Sequence, residues 1–136
     1  MYQRLCALFA AFFVVAGCAT MAGQKSFTEG RALIEAGNVE QGLPLVKAAA
    51  EHDPRNTEYR SYYIRVRDAA VQRYILAAEN ARSVNAYDEA EQAYTQALAL
   101  DPANQRARAG VQGLRLDRKH REMLLQAEAS FKRGDL

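Results

Sequence analysis

The side chains able to carry out chemistry are few and widely separated along this sequence. His52 and His120 are the only histidines, and neither stands at metal-ligand spacing from a cysteine, aspartate or glutamate. Each is interpreted as a solvated surface residue. Glutamates such as Glu89 and Glu91 recur as they do on any exposed helix face. No phosphate loop, nucleophile elbow or zinc-protease motif is present. We therefore predict no catalytic or metal-binding residue, no small-molecule substrate, no cofactor and no enzymatic activity.

The one residue to which the sequence assigns a specific chemistry is Cys18, through its thiol. A short segment with one positive charge, Arg4, and an unbroken apolar run from Leu5 to Ala16 precede it. As a helix this run would cover only about 18 Å, too little for a membrane core of roughly 30 Å. Residues 1–17 are therefore predicted to be a secretory signal peptide. Cys6 lies within it, which leaves at most one cysteine after cleavage and excludes an internal disulfide.

The segment Val15-Ala16-Gly17-Cys18 resembles the lipobox of bacterial lipoproteins at every position. Small residues are needed there because the peptidase must accept an extended backbone in a narrow site. The resemblance implies a covalent lipid on Cys18, and more than one acyl chain gives stable anchoring. Many family members retained in the inner membrane have aspartate at the next position, so Ala19 favours the periplasmic face of the outer membrane. An ordinary secretory cleavage, or an uncleaved anchor, is the alternative.

Composition and charge are those of one ordinary domain. Of 136 residues 49% are hydrophobic and 25% charged, and the formal charge of +2 includes Arg4 of the leader. This near-balance argues against nucleic acid as a partner. Basic residues cluster from Arg106 to Arg121, but Asp117 interrupts them. The cluster is interpreted as a solvated helix face rather than a site for an anionic partner.

From Gly23 onward, small and apolar residues recur at three- and four-residue steps, which predicts helices. Two copies of one helical hairpin are predicted, at about residues 23–56 and 71–104. Each ends at an Asp-Pro pair, because proline cannot continue a helix. Superposing these pairs aligns a shared set of positions. They are Gly30, Gly37, Val39, Gly42, Val46, Ala49 and Pro54 in the first copy and, in the same order, Ala78, Asn85, Tyr87, Ala90, Tyr94, Ala97 and Pro102 in the second.

This pattern resembles the tetratricopeptide repeat, and the second copy is close to the consensus of that family. The family repeats every 34 residues, whereas Pro54 and Pro102 are 48 residues apart. Between the copies lie residues at helical spacing with no glycine or proline, so one long helix is predicted from about Asn56, its cap, to Arg82. The predicted fold class is all-α: a tetratricopeptide-like helical hairpin array with an elongated helix between copies.

A partial third copy is predicted over residues 105–136, with Gly134 at the turn position. The repeat domain then covers residues 23–136, joined to Cys18 by a lipidated linker over residues 18–22. In the third copy Leu124, Leu125 and Phe131 have no partner helix. Two interpretations stay open: residues 105–136 cap the array, or the chain is the front part of a longer protein. The unfinished repeat favours the second.

The tetratricopeptide resemblance also implies a partner-binding surface, because the first helix of each pair lines a concave groove in that family. The matching positions are Phe27, Arg31, Ile34 and Glu35 in the first copy and Ile75, Glu79, Arg82 and Ser83 in the second. Their mixture suits a segment that carries both apolar and charged groups. Alternatively, the apolar ones pack against the inserted turns.

Two segments extend the resemblance: Glu35-Ala36-Gly37 continuing to Gly42, and Leu100-Asp101-Pro102 continuing to Gly110. Behind a lipoprotein leader, they are similar to the N-terminal region of some type II secretion or type IV pilus secretins. This resemblance implies a lipid-anchored periplasmic scaffold for protein–protein interaction, with a periplasmic or outer-membrane protein as partner. The alternative is a stand-alone adaptor lipoprotein of the pilotin or outer-membrane assembly type.

The lipid anchor gives the first testable prediction. Because the thiol of Cys18 is the predicted acceptor, Cys18→Ala abolishes labelling by a fatty-acid analogue and releases the protein from membranes. Metabolic labelling followed by membrane fractionation measures both effects. Cys6→Ala is the matched control and leaves labelling unchanged, and label that persists in Cys18→Ala would contradict the anchor.

Overall fold

A computed structural model describes residues 21–135 of the chain, and all of the regular secondary structure in that range is helical. The predicted all-α fold class is confirmed. The signal peptide and Cys18 lie outside the described residues. No helix within the described range is both long and apolar enough to cross a membrane. The helices are α1 (residues 21–35), α2 (Val39–His52), α3 (Thr57–Ser83), α4 (Tyr87–Leu100) and α5 (Gln105–Arg133).

Three left-handed residues form the turns that follow α1, α3 and α5. They are Gly37 (φ 88°), Asn85 (φ 60°) and Gly134 (φ 77°), the positions at which the sequence predicts turns. At each, the next residue donates its N–H to the carbonyl five positions earlier, as Asp135 does to Ser130 at 3.1 Å. The left-handed residue itself donates its N–H to the carbonyl three positions earlier. A helix end with these two hydrogen bonds is the Schellman motif. One turn geometry therefore ends α1, α3 and α5.

Asparagine caps begin the two long helices. The Oδ1 atom of Asn56 accepts the N–H groups of Glu58 and Tyr59 at 3.1 and 3.2 Å, and Asn104 accepts that of Ala107 at 3.1 Å. Such caps satisfy N–H groups that have no partner within the helix. The prediction of one long helix capped by Asn56 is confirmed, since α3 runs unbroken from Thr57 to Ser83.

The helices repeat with a shift of 48 residues. Both α2 and α4 have 14 residues and begin at Val39 and Tyr87, while α3 and α5 begin at Thr57 and Gln105. Six buried positions recur at the same shift. They are Gly23, Phe27, Gly30, Gly42, Val46 and Ala49, and then Val71, Ile75, Ala78, Ala90, Tyr94 and Ala97. The aligned signature residues therefore occupy equivalent places, while their assignment to the tetratricopeptide class stays a prediction.

The chain divides into two compact units, the first ending at Arg67. In this unit α1 and α2 meet at two glycines: a Cβ on Gly30 would lie 2.8 Å from the Gly42 carbonyl oxygen. The ring of Phe27 stacks on Tyr59, with centroids 4.4 Å apart, and meets the edge of Tyr62 at 5.4 Å. Helix α1 already includes residues 21 and 22, which the sequence assigned to the linker.

The second unit begins at Asp68 and packs around one tyrosine. Tyr94 is 1% exposed, and its ring lies where a Cβ on Gly110 would have to be placed. The counterparts of these two residues in the first unit are Val46 and Tyr62. The large side chain thus comes from the short helix in one unit and from the long helix in the other. The remaining core residues are Val71, Ile75, Ala78, Ala90, Ala97, Ala107 and Leu114.

The packing of Tyr94 over Gly110 predicts a conditional effect of Gly110→Ala. The new methyl group overlaps the buried ring, so we expect the free energy of unfolding to fall by about 1–3 kcal/mol. With Tyr94→Val also present the clash is absent, and alanine is better than glycine in a helix by about 1 kcal/mol. In the Tyr94→Val background, Gly110→Ala should therefore leave the free energy of unfolding unchanged or raise it. A double-mutant cycle in urea unfolding measures the coupling.

Gly113→Ala is the control within the same helix. Its Cβ meets only the flexible end of Arg82, so the free energy of unfolding should change by less than about 1 kcal/mol. An equal cost of Gly110→Ala with and without Tyr94 would contradict the packing described.

Candidate protein-binding groove

A groove of about 560 Å³ lies in the second unit, between the end of α3 and the first half of α5. The sides are polar and charged, and two tyrosines of α4, Tyr87 and Tyr94, also line the groove. Ligand pockets of proteins commonly occupy about 300–1,000 Å³, so the groove is large enough for a few side chains of a partner. Its lining residues are Glu79, Arg82, Ser83, Asn85, Tyr87, Tyr94, Arg106, Ala109, Gly110 and Asp117.

An ion pair between Arg82 and Asp117 joins α3 to α5 along the groove. The Arg82 Nε atom donates to Asp117 Oδ2 at 2.5 Å, with side chains 37% and 29% exposed. This hydrogen bond lowers the pKa of the Asp117 carboxyl and raises that of the guanidinium. Gly113 makes room for Arg82, because a Cβ there would lie 2.9 Å from both terminal guanidinium nitrogens.

A second pair joins the same two helices nearer the start of α5. The guanidinium of Arg106 donates twice to the carboxylate of Glu79, at 2.8 and 2.7 Å. Two parallel bonds fix the direction of both side chains more firmly than one would. This hydrogen bonding raises the pKa of Arg106. The basic cluster seen in the sequence therefore contributes one wall of the groove through Arg106.

A third set of ion pairs joins α5 to α4 outside the groove lining. Arg118 donates to Asp88 and to Glu91, both at 2.6 Å. These side chains are exposed to water to the extent of 36% or more, where such pairs contribute little to stability. They link α4 to the same helix that carries Arg106 and Asp117.

The chemistry of the groove is that of binding. Two carboxylates and two guanidinium groups neutralise one another, so the walls carry both charges without a net one. Ser83 donates its hydroxyl to the Asn80 carbonyl at 2.7 Å. Within residues 21–135, no three His, Cys, Asp or Glu side chains are grouped to hold a metal ion. Guanidinium groups donate hydrogen bonds and carboxylate oxygens accept them, so the walls offer both kinds of group.

The predicted partner-binding residues of the second copy divide into two groups. Glu79, Arg82 and Ser83 all line the groove. Ile75 does not, because it is fully buried in the core. Its expected role as a lining residue is corrected: the apolar member of the set packs inside the hairpin.

The first-copy residues are placed differently. Phe27 is 6% exposed and stacks on Tyr59 of the inserted helical turns, which is the alternative placement that the sequence left open for the apolar positions. Ile34 is half-buried, with its Cγ1 atom close to Gly42. Arg31 and Glu35 form an exposed ion pair at 2.7 Å. The prediction that Phe27 lies on the partner-binding surface is therefore also wrong, because the residue belongs to the core.

Sequence reasoning missed the other seven groove residues, among them Tyr94, Arg106 and Asp117. Tyr94 was recognised as a repeat position only, Arg106 as part of a basic cluster, and Asp117 as an interruption of that cluster. The pairs Glu79–Arg106 and Arg82–Asp117 are separated by 27 and 35 residues, and no local pattern reports such pairing. One signal in the sequence could have indicated these pairs. The two long helices are related by the 48-residue shift, and they carry residues of opposite charge.

Comparison with protein-family models, curated proteins and solved structures gave no significant match to this chain. The groove is therefore characterised by its own geometry, and the family resemblances of the sequence stay predictions.

The Arg82–Asp117 pair predicts a pH-dependent difference between the wild type and Asp117→Asn. The folded-state pKa of Asp117 lies below its ordinary 3.8, so its stabilisation is complete above that value and is lost as pH falls through the lowered one. Near neutral pH we expect the variant to be less stable by up to about 1 kcal/mol. The difference should shrink in acid.

Urea unfolding near neutral pH and well below pH 3.8 measures this effect. Glu128→Gln, an exposed position of α5, is the control. A stability difference for Asp117→Asn that is the same at both pH values would show that the carboxylate charge contributes nothing.

Proposed function

We propose that this chain is a lipid-anchored periplasmic scaffold that binds a segment of a partner protein in the groove between α3 and α5. One observation carries the proposal. Three residues chosen from repeat position alone, Glu79, Arg82 and Ser83, line one groove together with charged residues of the next long helix. Helical-repeat proteins use such surfaces for partners.

The anchor would keep the helices close to the membrane. Cys18 is three residues before Met21, where the described helix is already formed. Three residues span at most about 11 Å even when fully extended. A lipid on Cys18 therefore brings the start of α1 to the membrane surface, and the described domain into the layer where envelope proteins meet.

The groove chemistry specifies the kind of segment bound. Paired opposite charges favour a polypeptide that offers both a cation and an anion, or backbone amide groups, over a single strong anion. Tyr87 adds aromatic surface, and tyrosine combines apolar area with a hydroxyl hydrogen bond. The partner would be a periplasmic or outer-membrane protein. Resemblance to secretin N-terminal regions supports a component of a type II secretion or type IV pilus machine.

Site-specific photocrosslinking in intact cells tests the proposal. A photoreactive residue at Ser83, inside the groove, should capture a distinct envelope protein, while the same residue at Gln92, on the exposed face of α4, should not. Arg106→Glu removes the pairing with Glu79 and should lower the yield at least roughly tenfold. Arg108→Glu, an equal charge change at an exposed position of α5, should leave the yield unchanged.

The identity of the captured protein separates the two candidate roles. A secretion or pilus component supports the proposal, and a protein of outer-membrane assembly supports the adaptor alternative. Equal capture from Ser83 and Gln92, or no effect of Arg106→Glu in a folded and lipidated protein, would exclude the groove as the binding surface.

A further inference from the structure

The second half of α5 exposes an apolar face. Leu124 is 65% exposed and Met123 56%. These two residues, with His120 and Ala127, line a shallow groove of about 410 Å³. Exposure of several adjacent large apolar side chains on one helix marks an interaction surface. We define His120, Met123, Leu124 and Ala127 as the α5 face.

The α5 face has two counterparts in the chain, found by counting back from the left-handed turn residue. Its members stand 14, 11, 10 and 7 residues before Gly134. The same distances before the other two turn residues, Asn85 and Gly37, fall on positions that are buried or half-buried. They are Val71, Tyr74, Ile75 and Ala78, and Gly23, Ser26, Phe27 and Gly30.

Each counterpart is covered by the short helix that follows its turn. In the second unit Ile75 and Ala78 share one core with Ala90 of α4, and all three are fully buried. In the first unit Gly30 meets Gly42 of α2. Gly134 adopts the same left-handed turn with the same two hydrogen bonds. In both counterparts of the α5 face, a short helix therefore packs on these positions.

The two covering helices share a pattern that defines the chemistry of the occupant. Their fourth residue is Gly42 or Ala90, and their eleventh is Ala49 or Ala97. The eighth residue is a larger one, valine or tyrosine. Small residues at the fourth position allow the backbones to approach at Gly30 and Ala78, and Ala127 has the same small size at that position.

We propose that the α5 face is the docking site for a helix with this pattern, small at position four, large at eight and alanine at eleven, packed antiparallel as in α1–α2. The proposal is independent of the partner bound in the groove. A large side chain at the fourth position would hold the two backbones apart at Ala127. Packing and helix formation are coupled, because an isolated helix of about 14 residues is marginal in water.

Appending a second copy of the α4 sequence to the full chain tests this. Leu136 stands two residues after Gly134, as Val39 and Tyr87 do after their turn residues, so the sequence Asp88–Leu100 is added directly after it. Hydrogen–deuterium exchange of residues 120–131 is compared with and without the addition. We expect exchange there to slow at least roughly tenfold, and circular dichroism to show the added residues as helical.

Two matched controls separate specific docking from mere extension. Charged residues in place of the appended counterparts of Ala90, Tyr94 and Ala97 should abolish the protection. Three substitutions at the counterparts of the exposed Glu91, Gln92 and Gln96 should leave it intact. In the extended chain Leu124→Glu should remove protection, while Leu116→Glu, another exposed leucine of α5, should not.

Two results would overturn the proposal. One is equal exchange in the chains carrying the native and the inward-charged additions. The other is protection of residues 120–131 that rises with protein concentration in the chain without the addition, which would make a second copy the occupant.

Discussion

The structure depends on how closely two helices can approach within each hairpin. Gly30 and Gly42 meet almost backbone to backbone, and a Cβ on Gly42 would lie 2.5 Å from the Gly30 carbonyl oxygen. Ala78 and Ala90 hold the same positions in the second unit, and both are fully buried. Any larger side chain at such a crossing would force the axes apart, because protein interiors leave no unused space. The rest of each core is built outward from this contact.

The two units differ in the residues at one equivalent pair of positions. In the second unit Tyr94 fills the space over Gly110, whereas the equivalent pair in the first unit is Val46 and Tyr62. The tyrosine of this pair is therefore on the short helix α4 in one unit and on the long helix α3 in the other. Sequence divergence between the two copies is thus compatible with one arrangement of helices.

The long helices add surface to the hairpins. Arg106, Asp117 and Arg118 lie beside the buried residues of α5, and they pair with side chains of α3 and α4. The Arg82–Asp117 and Arg106–Glu79 pairs are partly exposed, so they contribute more to the shape and chemistry of the groove than to stability. Their mutual neutralisation gives a wall that recognises mixed polar segments.

The sequence by itself determined the local features: the all-helical class, the Asp-Pro stops, the Asn56 cap, the turns at Gly37, Asn85 and Gly134, and the 48-residue alignment. These follow from residues acting on their own backbone within a few positions, through proline sterics, side-chain capping and left-handed φ. The lipidation of Cys18 is likewise predicted from neighbouring residues alone, and it stays a prediction.

Only the tertiary structure decided which residues of a predicted surface stay exposed. Helical periodicity placed Ile75 on the same helix as Glu79, Arg82 and Ser83, but could not tell which of them the next helix would cover. Ile75 and Phe27 are buried because apolar side chains pack on them. Glu79 and Arg82 form ion pairs with residues that are 27 and 35 positions away in the sequence. Burial and long-range ion pairing are set by where other helices lie, and a pattern read along one helix does not contain that information.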